Sequence, residues 1–163
     1  MIIERGVNLK VATKENWYPI HIALRNSKPE IQKMIIERGV NLEVANDDKW
    51  YPIHYVLIYS TPEIQKMIIE RINILNTKIS INKEYVGDKI NKEIMKYLNK
   101  NEKRYEQMYL PIHMALIINE EEIIELILLR MKEIEKEDLS LIIDINQEYS
   151  SERIRNIIKE KYM

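Results

Sequence analysis

Cysteine and phenylalanine are absent from this chain of 163 residues, and glycine occurs only three times. Without cysteine, the chain has no disulfide framework, no thiolate nucleophile and no cysteine-based metal site, which fits a reducing compartment. Three glycines cannot build a glycine-rich loop that cradles phosphate, and the common nucleotide-binding and hydrolase motifs are missing. We therefore expect no enzyme activity, no cofactor, no metal and no small-molecule substrate.

An excess of one charge and a long apolar run are missing as well. The 25 Lys and Arg residues balance 26 Asp and Glu residues, which gives no reason to expect a nucleic-acid or anionic-membrane surface. The apolar stretch 123–129 is interrupted by Glu125, whereas a membrane span needs about 20 apolar residues. Charges at positions 4 and 5 argue against a signal peptide. We expect a cytoplasmic, intracellular protein without membrane insertion, with secretion without a classical signal as the alternative.

The chain instead repeats itself with a period of 33 residues. Segments 17–38 and 50–71 agree at 17 of 22 positions, and both begin with Trp-Tyr-Pro-Ile-His. A further Pro-Ile-His begins at Pro111, which lies 59 residues after Pro52. The period is therefore broken once, and a degenerate repeat is expected in residues 76–104.

Each repeat is predicted to hold two short helices and a connecting loop. Pro19 suits the first turn of a helix that runs to Asn26, and a second helix is expected over residues 29–38. Gly39 should end the second helix in the left-handed conformation. An extended or turn-rich connection then leads to Tyr51 and the next repeat.

The start of the second helix carries a recurring polar pattern. Residues 27–30, Ser-Lys-Pro-Glu, predict a capping box in which the serine accepts a hydrogen bond from the helix. Residues 60–63 repeat this pattern, and residues 119–122 are a more acidic version of it. Further along, helical spacing predicts a helix over about 88–99 and a closing helix over 150–162.

Motif, period and order together resemble the ankyrin-repeat family. The matching residues are Tyr18-Pro19-Ile20-His21-Ile22-Ala23, residues 51–56 and residues 110–115 at the head of the first helix, and residues 35–41 at the end of the second. The resemblance covers about residues 1–75 and 105–132. It implies an all-α ankyrin-repeat solenoid of stacked helix-turn-helix units with projecting loops, and a non-enzymatic function in protein binding.

On this resemblance the chain is one ankyrin-repeat domain, 1–163. Its predicted parts are a partial repeat 1–12, repeats 13–45 and 46–75, a degenerate repeat 76–104, a repeat 105–137 and a C-terminal capping segment 138–163. Met1 aligns with Met34 in the middle of a second helix, so we expect either that the chain is a piece of a longer array or that its true start lies upstream.

Several residues depart from the family pattern. The family threonine is replaced by Tyr18, Tyr51 and Leu110, so the following histidines (His21, His54 and His113) are expected to bond backbone groups. These histidines occupy equivalent positions on helices that pack about 8–10 Å apart, whereas zinc needs nitrogens at about 2.0–2.1 Å, so we expect them to be structural rather than metal ligands. The glycine before the motif is replaced by Asn16, Lys49 and Met108. The glycine that ends the second helix is replaced by Ile72 and Met131, so those helices should continue or leave differently.

The resemblance implies that partners contact the loop tips and the exposed side of the first helices, which form a concave groove. The positions are Lys14, Glu15, Trp17, Arg25, Asn26, Asp47, Asp48, Trp50, Ile58, Tyr59, Glu106, Gln107, Tyr109, Ile117 and Ile118. Trp17, Trp50 and Tyr109 are either a row of interface anchors or aromatic residues that pack on neighbouring loops. Ile58, Tyr59, Ile117 and Ile118 are expected to form an exposed apolar patch.

Two alternatives remain at this point. The chain could be a self-associating structural fragment of a longer ankyrin array, or chemistry could lie in the atypical segment 76–104, which contains no histidine. That segment is rich in basic residues, whereas residues 120–138 are rich in acidic ones. These charges are interpreted either as solvated faces or as an edge that orients a partner. The partner's identity does not follow from the sequence.

Overall fold

The computed structural model describes residues 8–81, 92–101, 103–104, 107–118 and 120–163. The chain divides into two compact units, unit 1 (1–72) and unit 2 (73–163). Nine helices and one two-stranded sheet lie in the described residues, so the prediction of a mainly helical fold is confirmed.

Unit 1 contains two helix pairs. They are α1 (Pro19–Asn26), α2 (Pro29–Glu37), α3 (Pro52–Tyr59) and α4 (Pro62–Ile69). The two first helices, α1 and α3, pack against each other, and the two second helices, α2 and α4, do the same. Leu24, Ile53 and Ile68 on these helices are fully buried. Each pair therefore covers the apolar side of the other, as expected for stacked repeats.

The predicted capping boxes at the second helices are wrong. Lys28 and Thr61 are the N-cap residues, and neither side chain accepts a hydrogen bond from its helix. The two serines end the preceding helices instead, and the N–H of Ser27 donates to the carbonyl of Ala23 at 2.9 Å. The turn between paired helices is so short that the serine is already used as a C-cap. In the third version, Asn119 lies outside the described residues, and Glu120 is an N-cap without a side-chain bond.

A buried glutamine closes each of these turns in unit 1. Nε2 of Gln32 lies 3.3, 3.2 and 3.0 Å from the carbonyl oxygens of Ala23, Leu24 and Ser27. Gln65 makes the same three contacts one repeat later. The last carbonyls of a helix have no partner within the helix, so the Gln32 amide gives the carbonyls of Leu24 and Ser27 a partner, while that of Ala23 also accepts the N–H of Ser27.

The left-handed positions of unit 1 are where the sequence indicates them. Gly39 follows α2 with φ +71°, which confirms its predicted role at the helix end. Asn16 and Lys49 have φ values of 55° and 66°, so both occupy a conformation that favours glycine. Met108 differs because it lies in a strand, where it pairs with Ser80.

Unit 2 combines a small sheet with five helices in its described residues. They are β1 (Ile79–Ser80), α5 (Lys92–Asn99), β2 (Met108–Tyr109), α6 (Pro111–Ile118), α7 (Glu121–Arg130), α8 (Lys136–Tyr149) and α9 (Glu152–Tyr162). The strands are antiparallel, with Ile79 opposite Tyr109. α6 packs against α8, and α7 packs against α9. α5 packs against α6.

The helix predictions for unit 2 are confirmed in part. α5 matches the described part of the predicted helix 88–99, and residues 88–91 lie outside the description. The closing helix is present as α9, and Oγ of Ser151 accepts the N–H of Ile154 at 3.4 Å. The 14-residue helix α8 was not predicted, and the expected boundary between 105–137 and 138–163 falls inside it. No Pro-Ile-His motif marks its start.

The second helices that lack a terminal glycine leave differently, as predicted. α7 ends at Arg130, and Met131 continues in an extended conformation with φ −71° and ψ 128°. α4 ends at Ile69, and the side chain of Ile72 turns into the core, where it is fully buried. Neither Ile72 nor Met131 therefore adopts the left-handed conformation that Gly39 uses to end its helix.

Candidate partner-binding surface

The two loops that precede the first helices of unit 1 are hairpin-like and lie side by side. In the second loop, the N–H of Asn46 donates to the carbonyl of Trp50 at 3.1 Å, and the N–H of Lys49 donates back to Asn46 at 3.0 Å. The N–H of Asp47 bonds the carbonyl of Glu15 at 3.2 Å, and the Asn16 amide bonds the Asp47 carboxylate at 2.8 Å. The tips are thus held together by direct hydrogen bonds.

Four predicted contact residues occupy these tips. Lys14, Glu15, Asp47 and Asp48 are all exposed. The structure therefore brings them together on one edge of unit 1, where their backbones are fixed while their side chains face solvent.

The aromatic residues of unit 1 form a cluster around Tyr55. The ring centres of Trp17 and Trp50 lie 5.4 and 5.2 Å from that of Tyr55. The Asn46 amide donates to the Tyr55 hydroxyl at 2.9 Å. Burial raises the pKa of Tyr55, so its hydroxyl stays neutral. Trp50 is only 3% exposed, whereas Trp17 is half-buried. Trp50 is therefore a packing residue, and only Trp17 of this pair reaches the surface.

The end of the first helix differs between the two repeats of unit 1. Arg25 is half-buried and Asn26 is exposed on α1. At the matching positions of α3, Ile58 is 8% exposed and Tyr59 is half-buried. The predicted exposure of Ile58 is wrong because α3 is covered more completely than α1.

Unit 2 buries two of its four described contact residues and half-buries the other two. Tyr109 is 1% exposed and Ile117 is 7% exposed, while Ile118 and Gln107 are half-buried. The Tyr109 hydroxyl lies 2.6 Å from the carbonyl of Arg104 and 3.2 Å from the Gln107 side-chain oxygen. Glu106 lies outside the described residues. The expected exposed apolar patch is therefore absent from the described part of unit 2, and Tyr109 packs inside.

The three histidines fix the start of the first helices. The backbone N–H groups of Tyr18, Tyr51 and Leu110 donate to the Nδ1 atoms of His21, His54 and His113 at 3.1, 3.0 and 3.0 Å. Each bond satisfies a backbone group at a helix start. The prediction that these histidines bond backbone groups is confirmed.

The other ring nitrogen reaches a segment further along the chain. Nε2 of His21 lies 3.0 Å from the carbonyl of Val44, and Nε2 of His113 lies 3.0 Å from that of Asp138. Because Nδ1 accepts a bond, the proton of the neutral ring belongs on Nε2, which donates to the carbonyl. Burial lowers the pKa of His21 and His113, and this favours the neutral ring. Both nitrogens of these two rings are thus engaged, and no cluster of potential metal ligands occurs in the residues described.

The uneven charges of unit 2 pair with each other. Nζ of Lys78 lies 2.9 Å from carboxylate oxygens of both Glu135 and Asp138. Lys100 and Arg104 both pair with Glu148 on α8, the latter at 3.6 Å. Part of the basic segment therefore docks on acidic groups of the same unit, which neither interpretation from the sequence included.

The two repeats of unit 1 differ almost only on their first helices. Between segments 17–38 and 50–71, the five differing pairs are Ile22/Tyr55, Ala23/Val56, Arg25/Ile58, Asn26/Tyr59 and Lys28/Thr61. The first four pairs lie in α1 and α3, whereas α2 and the matching residues 62–70 are identical. Variation thus concentrates on the helices that are next to the hairpin tips.

Sequence reasoning missed two residue types that organise this surface. Tyr55 has no counterpart in the repeat before it, where Ile22 stands, so the period gave no signal for it. Gln32 and Gln65 recur at one position, and their burial at 2% and 3% could have been suspected from that recurrence.

No family model matches the chain, and no curated protein matches it either. Within the described residues, no helix is both long enough and apolar enough to span a bilayer.

Proposed function

We propose that this chain is a non-enzymatic interaction module of the ankyrin-repeat type, which binds a partner protein through the hairpin tips and first helices. The observation that carries the proposal is the distribution of differences between the two repeats of unit 1. Their second helices are the same, whereas their first helices carry different side chains at Arg25/Ile58 and Asn26/Tyr59. Repeat proteins bind partners on the extended surface that their stacked units present, and three of these four side chains, Arg25, Asn26 and Tyr59, reach the surface of unit 1.

The groups available for contact are those that the fold leaves at the surface of unit 1. They are Lys14, Glu15, Asp47 and Asp48 at the tips, exposed Asn26, and half-buried Trp17, Arg25 and Tyr59. Hydrogen bonds between the tips and the histidine contacts hold their backbones in place. Such preorganisation lowers the ordering cost of binding. Four of the predicted contact residues are buried in the core and are not interface anchors in this proposal: Trp50, Ile58, Tyr109 and Ile117.

The alternative function is self-association as part of a longer array. Ile22 on α1 is 44% exposed, whereas its counterpart Tyr55, at the centre of the aromatic cluster, is 3% exposed. A second copy that covered Ile22 would give α1 the environment that α3 already has. Light scattering over a range of concentrations distinguishes the two functions, because a protein that stays monomeric excludes self-association.

The main experiment is affinity capture with a matched control. One variant replaces Lys14, Asn26, Asp47 and Asp48 by Ala on the proposed surface. The control variant replaces exposed Glu30, Glu37 and Arg38 by Ala on and next to α2. We expect the partner captured by the wild-type chain to be lost with the first variant and retained with the second. Retention by the surface variant, with an unchanged circular dichroism spectrum, would contradict the proposal.

A further inference from the structure

We propose that Arg25 receives a carboxylate of the partner, so that the surface of unit 1 recognises a peptide segment with one acidic residue beside an apolar one. This inference rests on the proposed function and specifies the chemistry of the partner.

Among the residues that the structure describes, none pairs a carboxylate with the guanidinium of Arg25. The guanidinium carbon lies 5.5 Å from the ring centre of Trp17. Its Nε is buried and has no hydrogen-bond partner, and among the described residues Arg25 makes no ion pair with a carboxylate. Burial raises the pKa of Tyr59, and the charge of Arg25 partly opposes this shift, which places the cation near that phenol.

Arg25 is also peculiar to one repeat. The matching residues Ile58 and Ile117 are apolar and are 8% and 7% exposed. Both are buried aliphatic side chains, so packing at this position does not require a charged residue. An arginine placed there keeps its charge because it is only half-buried and lies over the face of an indole ring.

The groups around Arg25 fit a carboxylate with an apolar neighbour. A guanidinium presents parallel N–H groups that match the two oxygens of a carboxylate. Trp17 and Tyr59 reduce the local exposure to water, which strengthens the ionic hydrogen bonds. Ile22 is one turn before Arg25 on α1 and is 44% exposed, so it offers an apolar contact for the adjacent side chain.

The charge of the hairpin tips limits how negative the occupant can be. Glu15, Asp47 and Asp48 are exposed on the two tips, and the charge of Asp48 reaches Tyr55 in the aromatic cluster. These carboxylates repel a phosphate dianion more strongly than a single carboxylate. The surface therefore favours an Asp or Glu side chain over a phosphorylated residue or a nucleic acid.

A random linear peptide library displayed on phage, selected against the full chain, tests the inference. The most enriched peptide is then synthesised in two forms, one with its acidic residue and one with the matching amide. Binding of both is measured by isothermal titration calorimetry to the wild-type chain, to Arg25→Gln, to Arg25→Lys and to Lys10→Gln. The last variant removes one exposed positive charge elsewhere in unit 1 and serves as the control.

We expect enriched peptides to share an acidic residue next to an apolar one. Arg25→Gln and the amide form of the peptide should each weaken binding by about tenfold or more, and Arg25→Lys should lie in between. Lys10→Gln should leave the Kd within about twofold, since exposed charges contribute little. Inorganic phosphate at equal ionic strength should compete no better than chloride.

Different failures have different meanings. If peptides bind but lack an acidic residue, or bind Arg25→Gln as tightly as wild type, this inference is wrong and the proposed function stands. If phosphate competes specifically, the occupant is a phosphate group and the inference is also wrong. If no peptide is enriched on a chain whose folding is verified by circular dichroism, both the inference and the proposed function are contradicted.

Discussion

In both units, a histidine on a first helix bonds the backbone at its own helix start and a carbonyl 23 to 25 residues further along, as His21 does to Val44 and His113 to Asp138. The segments that receive this second bond differ. In unit 1 it is a loop before the next first helix, whereas in unit 2 it is the first turn of α8. The histidine contact and the stacking of like helices are therefore retained where the hairpin loop is not.

In the described part of unit 2, a pair of short strands and an ion pair take the place of the hairpin loop. Unit 1 uses left-handed Asn16 and Lys49 to turn its loops. In unit 2 the equivalent residue, Met108, is part of a strand pair, and Lys78 next to that pair bonds Asp138. The comparison indicates which contacts a repeat needs and which can be exchanged, and four pairs of substitutions test it.

The largest effect is expected for His113→Ala. It leaves the buried Leu110 N–H without its partner, which costs about 1–3 kcal/mol, and it also removes the bond from His113 to the Asp138 carbonyl. His21→Ala should cost less because Tyr18 and Val44 are half-buried and accessible to water. Urea denaturation followed by circular dichroism measures both losses. An equal or larger loss for His21→Ala would show that the two contacts do not differ as described.

The next effect is expected for Gln65→Ile. The matching position of unit 2 carries Ile124, which is 4% exposed, so the substitution makes the α3–α4 turn resemble its counterpart. It removes the amide from the carbonyls of Val56, Leu57 and Ser60. We expect a loss of about 1–3 kcal/mol in the free energy of unfolding.

Gln65→Glu is the control for shape. It keeps the length of the side chain but exchanges the donor for a charged acceptor, so it should destabilise at least as much. Unchanged stability in either variant would mean that the carbonyls find other partners.

A smaller effect is expected for Lys78→Met. The substitution leaves the 7% exposed Asp138 without its cation, and hydrogen bonds to Asp138 and Glu135 raise the pKa of Lys78 in the folded chain. We expect a loss of about 1–2 kcal/mol, because Asp138 is largely buried but Lys78 itself is partly exposed. Lys33→Met in unit 1 breaks an exposed pair with Glu63 and should cost about 0.5 kcal/mol or less. Similar losses at both sites would contradict the difference in burial.

The smallest effect, a gain, is expected for Lys49→Gly. Lys49 has a φ of 66° and is exposed, so glycine relieves the conformational cost without loss of packing. The larger freedom of glycine in the unfolded chain offsets part of that gain, which leaves about 0.5 kcal/mol. Met108→Gly should instead destabilise unit 2, because an extended residue gains nothing from glycine. Thermal unfolding of both variants checks the sign, and stabilisation by Met108→Gly would contradict the strand assignment.

The fold of unit 1 could be predicted to a large extent because its information is local. Proline at a helix start, glycine at a helix end and a repeated apolar spacing specify short helices wherever they occur. The backbone contact of the histidines was also predictable, because Tyr18 and Leu110 replace the family threonine that would otherwise bond the histidine. The left-handed conformation of Asn16 and Lys49 was expected from the family resemblance, although Met108 at the equivalent position is in a strand.

What could not be predicted depends on contacts between distant segments. The sequence does not show that Lys78 meets α8, or that Trp50 turns inward while Trp17 remains at the surface. The serine of the Ser-x-Pro-Glu pattern suits either end of a helix, and only the length of the turn decides between them. Of the predicted contact residues, those at the hairpin tips of unit 1 are exposed, whereas Trp50, Ile58, Tyr109 and Ile117 are buried, since burial depends on how the helices pack together.

Tyr55 also has a consequence for how unit 1 reaches its native arrangement. The folding chain contains two copies of nearly the same 22-residue segment, so a second helix could pair with the wrong first helix and form a shifted repeat. Tyr55 is the bulky residue that distinguishes the copies, because its ring contacts both tryptophans and its hydroxyl bonds Asn46. We expect this single side chain to set the register of the repeats and to penalise exchange of helices, within one chain or between two.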